Sequence, residues 1–481
     1  MCIFSLKAPD KFSFVRPFLR KTHIDEAVAA VLKLQHDPYG KPQRGKLKKG
    51  GEMTMVRKCS VMLAVVLLLP ALAWGNGFAL FEHGARGVSM GGAFVAVADD
   101  PSAGYYNPAG LAFLDGTKAM AGVFLITESS KFRGDNPYPG AGYKSEMEDQ
   151  IFYPPHFHYS APLAGNFRWG LSMIAPFGLG TWWPNNYAGR FISKRIDLKV
   201  FDVNPHVSWK LSDSFAVGVG FDYFLTQVDL TKSIGVINPY TQRVAEVGQV
   251  HMYNEGFADG WGYNVGVLWK LGGGFSLGAA YRSRVEVEIN DAKASFVQFS
   301  TGYADFDAMV AQLIPFDRNP KGQTRVNFPA EARIGLAWKG EKTIISADAV
   351  HMGWDSFKEL PITIVGYPQL SSVREENFRD AWTYRVGLER KFSDTFAVQV
   401  GYLRDRTPMP THIVSPLLPD ADRNGYSIGF SWQVNPKMRV DGSFLHLPFD
   451  NRSTQGQSID NFNGTYRTRA ELFGMSVVYS F

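Results

Sequence analysis

From about residue 117 to the C-terminus, apolar and polar residues alternate with a period of two. Phe215, Val217, Val219, Phe221 and Tyr223 share one face of such a run. Phe275, Leu277, Ala279, Tyr281, Ser283, Val285 and Val287 form a second, Trp382, Tyr384, Val386 and Leu388 a third, and Tyr426, Ile428, Phe430 and Trp432 a fourth. The opposite faces carry Gly, Ser, Asn, Asp, Glu and Arg. This is strand periodicity. It predicts fourteen strands, near 117–130, 150–162, 166–180, 196–212, 214–231, 257–271, 274–290, 324–339, 342–354, 376–391, 394–406, 424–434, 437–448 and 466–481.

The gaps between them alternate in length. Long ones fall near 131–149, 181–195, 232–256, 291–323, 355–375, 407–423 and 449–465; short ones include Ser212-Asp213, Gly272-Gly273 and Asn435-Pro436. An even strand count, with long loops at one end and tight turns at the other, is the pattern of an outer-membrane barrel. A water-soluble sandwich has no reason to gather every long loop at one end. The last strand sets Phe473, Met475, Val477, Tyr479 and Phe481 on one face and ends on an aromatic. This looks like the C-terminal strand signal of outer-membrane proteins, so the barrel-assembly machinery is an expected partner through Phe481.

Composition agrees. Hydrophobic residues make up 45% and charged residues 20% of the 481, against disorder, which needs the reverse. Two Cys exclude a disulfide scaffold. Residues Val61 to Ala73 form a thirteen-residue apolar run preceded by Arg57 and Lys58 and followed by small residues. That is a secretory signal peptide, too short to span a membrane as a helix. The expected segments are a non-native upstream extension at 1–52, with Met53 or Met55 as the start, a signal peptide at 53–75, a hatch at 76–116 and a barrel at 117–481. Cleavage is placed after Gly75, with Ala73 as the alternative. Residues 1–75 hold 13 of the 50 basic but 5 of the 45 acidic residues, so the remainder is net −3 and its charge argues nothing about nucleic acid.

The segment between leader and first strand, residues 76–114, is rich in Gly and Ala and lacks strand alternation. With Gly77-Phe78, Ala98-Asp99-Asp100 and Asn107-Pro108-Ala109, it resembles the hatch of the FadL family of bacterial outer-membrane fatty-acid and hydrocarbon transporters. Ala175-Pro176-Phe177-Gly178-Leu179-Gly180, Tyr187-Ala188-Gly189-Arg190-Phe191 and Pro419-Asp420-Ala421-Asp422-Arg423 are similar to further family segments. The resemblance implies a 14-stranded antiparallel transmembrane β-barrel plugged by an N-terminal hatch. It also implies capture of an apolar ligand on outer loops, an internal pocket, hatch movement and exit beside the third strand. The protein is expected to be a monomer in contact with outer-membrane lipid, without cofactor, metal or catalytic residue.

Three groups of residues are candidates for transport. Pro176, Phe177 and Gly178 sit inside the third strand, where Pro lacks the N–H that a ladder needs; a wall opening and an early strand end are the two readings. In the fourth long loop Phe306, Met309, Val310, Leu313 and Ile314 follow helical spacing, with Asp305 as cap and Pro315 as stop. With Ile234, Val236 and Ile237 they either form a capture groove or pack on their own neighbours. Arg282, Arg284, Arg333 and Arg385, with Glu286, Glu288 and Glu389, are expected inside the barrel. There they either bind a carboxylate or brace the wall.

Other motifs are weaker. Gly87-Val88-Ser89-Met90-Gly91 matches a nucleophile elbow but lacks the strand–helix context. Asp420 to Gly425 opens like an EF loop, yet its twelfth position is Ser431. His156 and His158 share a strand face with no third ligand nearby. A polar-solute porin and an outer-membrane lipid hydrolase remain as rival classes, and aromatic hydrocarbon as rival cargo.

Overall fold

The computed structural model describes residues 77–481. The expected extension, signal peptide and first hatch residue lie outside the described residues. All 22 strand segments belong to one sheet, and they run as fourteen staves that close on themselves. In order these are β1 (Lys118–Gly134), β2 (Pro155–Ala164), β3 (Phe167–Trp182), β4 (Arg195–Lys210), β5 (Phe215–Asn238), β6 (Ala258–Gly272) and β7 (Phe275–Arg282, resuming as Val285–Gln298). They continue as β8 (Lys321–Phe328 resuming as Glu331–Lys339), β9 (Thr343–Met352), β10 (Ala381–Lys391), β11 (Phe396–Asp405), β12 (Arg423–Asn435), β13 (Met438–Pro448) and β14 (Gly464–Ser480). Each pairs antiparallel with the next, and β1 pairs with β14 from Lys118↔Ser480 to Gly134↔Gly464. Closure leaves no free edge, the condition for strands to cross lipid.

The alternation sorts the faces as expected. Trp209, Trp269, Trp432 and Tyr479 are exposed near the short-turn end, and Tyr263, Tyr402, Tyr426 and Phe473 toward the long-loop end. These are the two aromatic belts of a membrane-spanning wall.

Three expectations are corrected. The stretch 232–256 is not an open loop: β5 runs on to Asn238 and pairs with Arg243–Tyr253 as a hairpin beyond the barrel. Arg284, Glu286 and Glu288 are exposed on the outer face. The β7 stave breaks at Ser283-Arg284, which shifts the side-chain parity by one and turns Val285, Val287 and Ile289 inward. Asp305 does not cap the outer-loop helix (Ala304–Leu313); Tyr303 holds the N-cap without a side-chain bond. Asp307 instead ties the helix to the loop before it, accepting from Thr301 Oγ1 at 2.6 Å.

The lumen is filled by residues 77–116, with helices α1 (Ala85–Ser89) and α2 (Ala103–Tyr106) and a 3₁₀ turn at Pro108–Phe113; the outer-loop helix is α3. Asn107 explains its triplet. Its side chain accepts from Ala109 N, donates to Val95 O at 3.0 Å within the hatch, and donates to Val267 O at 2.9 Å in β6. Pro108 follows where a helix start needs no N–H. The wall receives this backbone through inward glycines. A methyl group added at Gly387 would lie 2.6 Å from Met90 O, and one at Gly218 would lie 2.6 Å from Ala109 N. Gly401 and Gly429 face Gly91 N and Ser89 Oγ more closely still. Ion pairs complete the seat. Arg86 binds Glu389 of β10 at 2.6 Å and Asp99 at 2.5 Å, while Arg439 of β13 binds Asp100 at 3.0 Å. Removing one partner of such a buried network costs roughly 3–5 kcal/mol.

Two outcomes are expected. The protein should migrate faster on gels unboiled than boiled, since a closed barrel resists detergent; equal migration would count against closure. Gly429→Val should keep that behaviour yet loosen the hatch, exposing Arg86 to trypsin; unaltered protease resistance would show that the close approach is not needed.

Candidate functional site

The third stave carries the main irregularity of the wall. β3 pairs with β4 from Phe167↔Trp209 to Ile174↔Asp202, then shifts register and resumes at Phe177↔Val200. Ala175 and Pro176 together oppose Phe201, which is a bulge. On its other side β3 pairs with β2 only as far as Met173. Above that point the neighbouring segment Gln150–Phe152 pairs with β1 and not with β3. The ladder groups left open on β3 are taken by the start of the hatch. Leu80 N donates to Pro176 O at 2.8 Å, Gly178 N donates to Phe78 O at 3.1 Å, and Ala79 bridges Phe177. A short strand of the plug thus stands where a wall strand is missing. Beside it lies a cavity of about 120 Å³ lined by Leu80, Ile126, Phe152, Ala175, Phe177 and Gly178.

Two further cavities lie toward the long loops. One of about 70 Å³ lies among Phe78, Met252, Val326, Phe357, Glu376 and Phe378. Its surroundings are aromatic: Phe78 meets Trp354 with ring centroids 4.8 Å apart, and Phe357 meets Phe378 at 5.0 Å. The other is a groove of about 940 Å³ with Ile234, Val250, Phe296, Ile364 and Leu370 among its walls. The three share walls. Leu230, Met252 and Ile362 belong to both groove and pocket, and Leu179 and Leu198 to both pocket and side cavity. Together they trace an apolar series from the outer loops to the gap beside β3.

Charged residues line all three: Glu128, Asp197 and Lys199 the side cavity, and Glu376 the pocket. Arg190, Lys232, Arg243 and Asp460 line the groove. Arg190 is held by Glu246 at 2.7 Å. Lys232 sits between Leu230 and Ile234 on one strand face, and among the described residues no hydrogen bond or ion pair engages its side chain. Between groove and pocket, Arg374 binds Asp460 at 2.8 Å and Glu376 at 3.1 Å. Burial pushes the Glu376 carboxyl up to about 7, against the pull of Arg374.

The structure distributes the candidate residues as follows. Ile234 lines the groove, Val236 packs against the apolar core, and Ile237 is exposed. Phe306 and Val310 of α3, and Ile314 just past its end, are buried in that core, whereas Met309 and Leu313 face solvent. Three of the arginines are inside; Arg282 and Arg333 are engaged by carboxylates, and Arg385 only in part, since its Nε and Nη2 have no hydrogen-bond partner among the described residues. Arg282 bridges Asp202 at 2.6 Å and Asp222. Arg333 pairs with Glu331 and donates to Tyr105 O at 2.8 Å. Arg385 reaches Gly92 O at 3.4 Å and lies over the Phe81 ring. All three touch the hatch or brace the wall beside it. His156 meets Ser476 and His158 meets Ser172 and His83 O, each at 2.8 Å, against the plug. Ser89 is spent on Ala85 O. Asp420 accepts from Thr407 Oγ1, and Asp422 from Thr407 N. Lys232 and Glu376 were missed from sequence. For Lys232 a signal existed, a lone cation on the apolar face of an otherwise regular strand.

A family model described as outer membrane protein transport protein (OMPP1/FadL/TodX) matches residues 66–481. The chain belongs to this family. The protein is accordingly an outer-membrane protein. Its relatives include the long-chain fatty acid transport protein of Salmonella typhi, 25% identical over 457 residues, which span 89% of this chain and all of that one. The 47 kDa outer membrane protein of Pasteurella multocida is 22% identical over 401 residues, 80% of this chain and 89% of that one. Among solved structures, a Pseudomonas aeruginosa FadL homologue matches with a TM-score of 0.73 at 20% identity, covering 84% of this chain and 100% of that one. The Pseudomonas putida toluene transporter TodX matches with a TM-score of 0.63 at 18% identity, covering 84% and 99%. These structural likenesses establish the FadL-type fold and leave cargo to the site.

Glu376 gives a pH-dependent outcome. Its folded carboxyl holds a proton that the unfolded chain gives up above about 4.5. Its contribution therefore favours the fold below that value and is lost as pH rises toward 7. Glu376→Gln should be stabilised relative to the native protein more at pH 8 than at pH 5, read as the temperature at which unboiled gel mobility is lost. An equal shift at both pH values would contradict this.

Proposed function

We propose that the protein carries long-chain fatty acids passively across the outer membrane. The observation that supports this most is Lys232, which stands among Leu230, Ile234 and Val250 in the groove and whose ammonium makes no hydrogen bond or ion pair among the described residues. A long aliphatic chain suits the walls, and the ammonium suits a carboxylate at one end. From the groove the chain would pass the Arg374 ion cluster into the pocket around Phe78. It would then leave through the cavity beside β3 into the membrane. The moving part is the Phe78–Leu80 segment, which two backbone hydrogen bonds hold against Pro176 and Gly178. Arg282, Arg333 and Arg385 are assigned to bracing, because each already has a protein partner. A filled lumen fits a polar-solute porin poorly, and no catalytic step is part of this reading.

Aromatic hydrocarbon is the second reading. The rings of Phe78, Phe177, Phe328 and Trp354 beside the pocket favour it, and the same route would serve. Assembly is assigned to recognition of β14 by the barrel-assembly machinery, with Phe481 68% exposed at its end. The working form is a monomer.

Uptake of labelled oleate and toluene, in a host lacking its own transporter, separates the cargo readings. Oleate should enter above the vector control; entry of toluene alone would select the hydrocarbon. Lys232→Ala should lower oleate uptake several-fold and leave toluene unchanged, and equal loss of both would discard the carboxylate role. Replacing Pro176 and Gly178 with Val narrows the side cavity. Uptake should fall several-fold at normal barrel yield, and undiminished uptake would sink the lateral exit. Deleting Phe481 should reduce barrel yield; normal yield would remove its assembly role.

A further inference from the structure

The outer wall carries an unusual charge pattern where β1 and β14 rise past the aromatic level. Lys131 of β1 stands directly opposite Arg467 of β14. Two residues further, Arg133 stands opposite Lys144 of the short strand Lys144–Glu146. Arg469, opposite Ser129, lies one rung below on the same face. All five cations are exposed. Like charges directly opposed across a ladder destabilise it, and here two such pairs occupy neighbouring rungs.

Counter-charge within the protein is insufficient. Glu146 pairs with Lys131 at 2.8 Å, with both side chains more than half exposed. Arg467 donates to the Asn451 side chain at 3.1 Å. Glu471, a further carboxylate on this face, is taken by His446 at 2.8 Å. Among the described residues no carboxylate pairs with Arg133, Lys144, Arg467 or Arg469, and the side chains of Arg133, Lys144 and Arg469 make no hydrogen bond.

The height of the patch decides what could supply the missing charge. One rung below stand Thr127 and Glu471, and from there down the same face is apolar, with Leu125 opposite Phe473 and Val123 opposite Met475. Phe473 packs on Phe444 at the outer aromatic level. Arg469 lies four residues beyond Phe473, about 14 Å along a tilted strand, where headgroups replace hydrocarbon. A molecule that fits must carry anions above acyl chains. We propose that this patch binds the phosphorylated headgroup of an outer-leaflet lipid. The phosphate oxygens lie among Arg133, Lys144, Arg467 and Arg469, and the acyl chains lie along Leu125, Phe473 and Met475. Guanidinium groups suit phosphate through paired charge-assisted bonds, and clustered cations at a membrane surface attract anionic headgroups.

The test uses the full barrel with its hatch, purified in non-ionic detergent, with binding read by native mass spectrometry. The probes are a bis-phosphorylated glucosamine-based glycolipid, the same lipid with its phosphates removed, and inorganic phosphate alone. The phosphorylated lipid should bind saturably and at least tenfold more tightly than its dephosphorylated form. The combined variant Arg133→Gln, Lys144→Gln and Arg469→Gln should lose that advantage while keeping its unboiled gel mobility. Lys293→Gln, on the distant Val285–Gln298 segment, should retain it. Equal binding of both lipids, unchanged binding by the triple variant, or a loss as large in Lys293→Gln would overturn the proposal. Saturation by inorganic phosphate at the same concentrations would also overturn it, marking a free-anion site instead. If the triple variant fails to assemble, Arg469→Gln alone carries the comparison, with a several-fold loss expected and no loss overturning the proposal.

Discussion

A backbone amide facing hydrocarbon has no water to bond with, so every N–H and C=O of the wall needs a protein partner. That requirement closes the fourteen staves and makes the irregularity in β3 consequential. Pro176 supplies no N–H, the register shifts around it, and β2 stops pairing at Met173. In a closed barrel these vacancies would be costly. Here Phe78–Leu80 takes them over from inside. The wall defect and the plug therefore depend on each other, because the groups that complete β3 belong to the hatch and not to a stave.

The same dependence explains how the lumen is filled. An inward side chain on every second residue would keep the hatch at a distance. Glycines on β5, β10, β11 and β12 instead let its backbone touch the wall. Arginines from the wall then reach hatch carbonyls, as Arg333 does to Tyr105, and Arg86 reaches back to Glu389. Such internal partners occupy Arg282 and Arg333. The apolar series of cavities lies apart from this polar seat, toward the outer loops and β3, and Lys232 brings charge into it with no partner among the described residues.

Much of this was legible in the sequence because a membrane wall imposes a period of two and an alternation of loop lengths. The stave positions, the turn end and Pro176 as a point of ladder failure follow from those local rules. Where one residue of parity changes, the rules fail. Arg284, Glu286 and Glu288 read as inward from the phase of β7, but the break at Ser283-Arg284 turns them out. The 232–256 stretch read as a loop for its length, while its own alternation pairs it into a hairpin.

The sequence by itself determined the staves and the alternation of their connections, since those rest on periodicity and composition carried by neighbouring residues, while the plug was legible only through the family resemblance of residues 76–114. Only the tertiary structure decided which residues meet. Phe78 and Pro176, Arg374 and Asp460, or Lys131 and Arg467 lie far apart in the chain and are brought together by stave register and loop packing. A cavity is a property of surfaces supplied by many distant segments. No local pattern encodes its shape, so the series of cavities became visible only once the staves were closed and the hatch was seated.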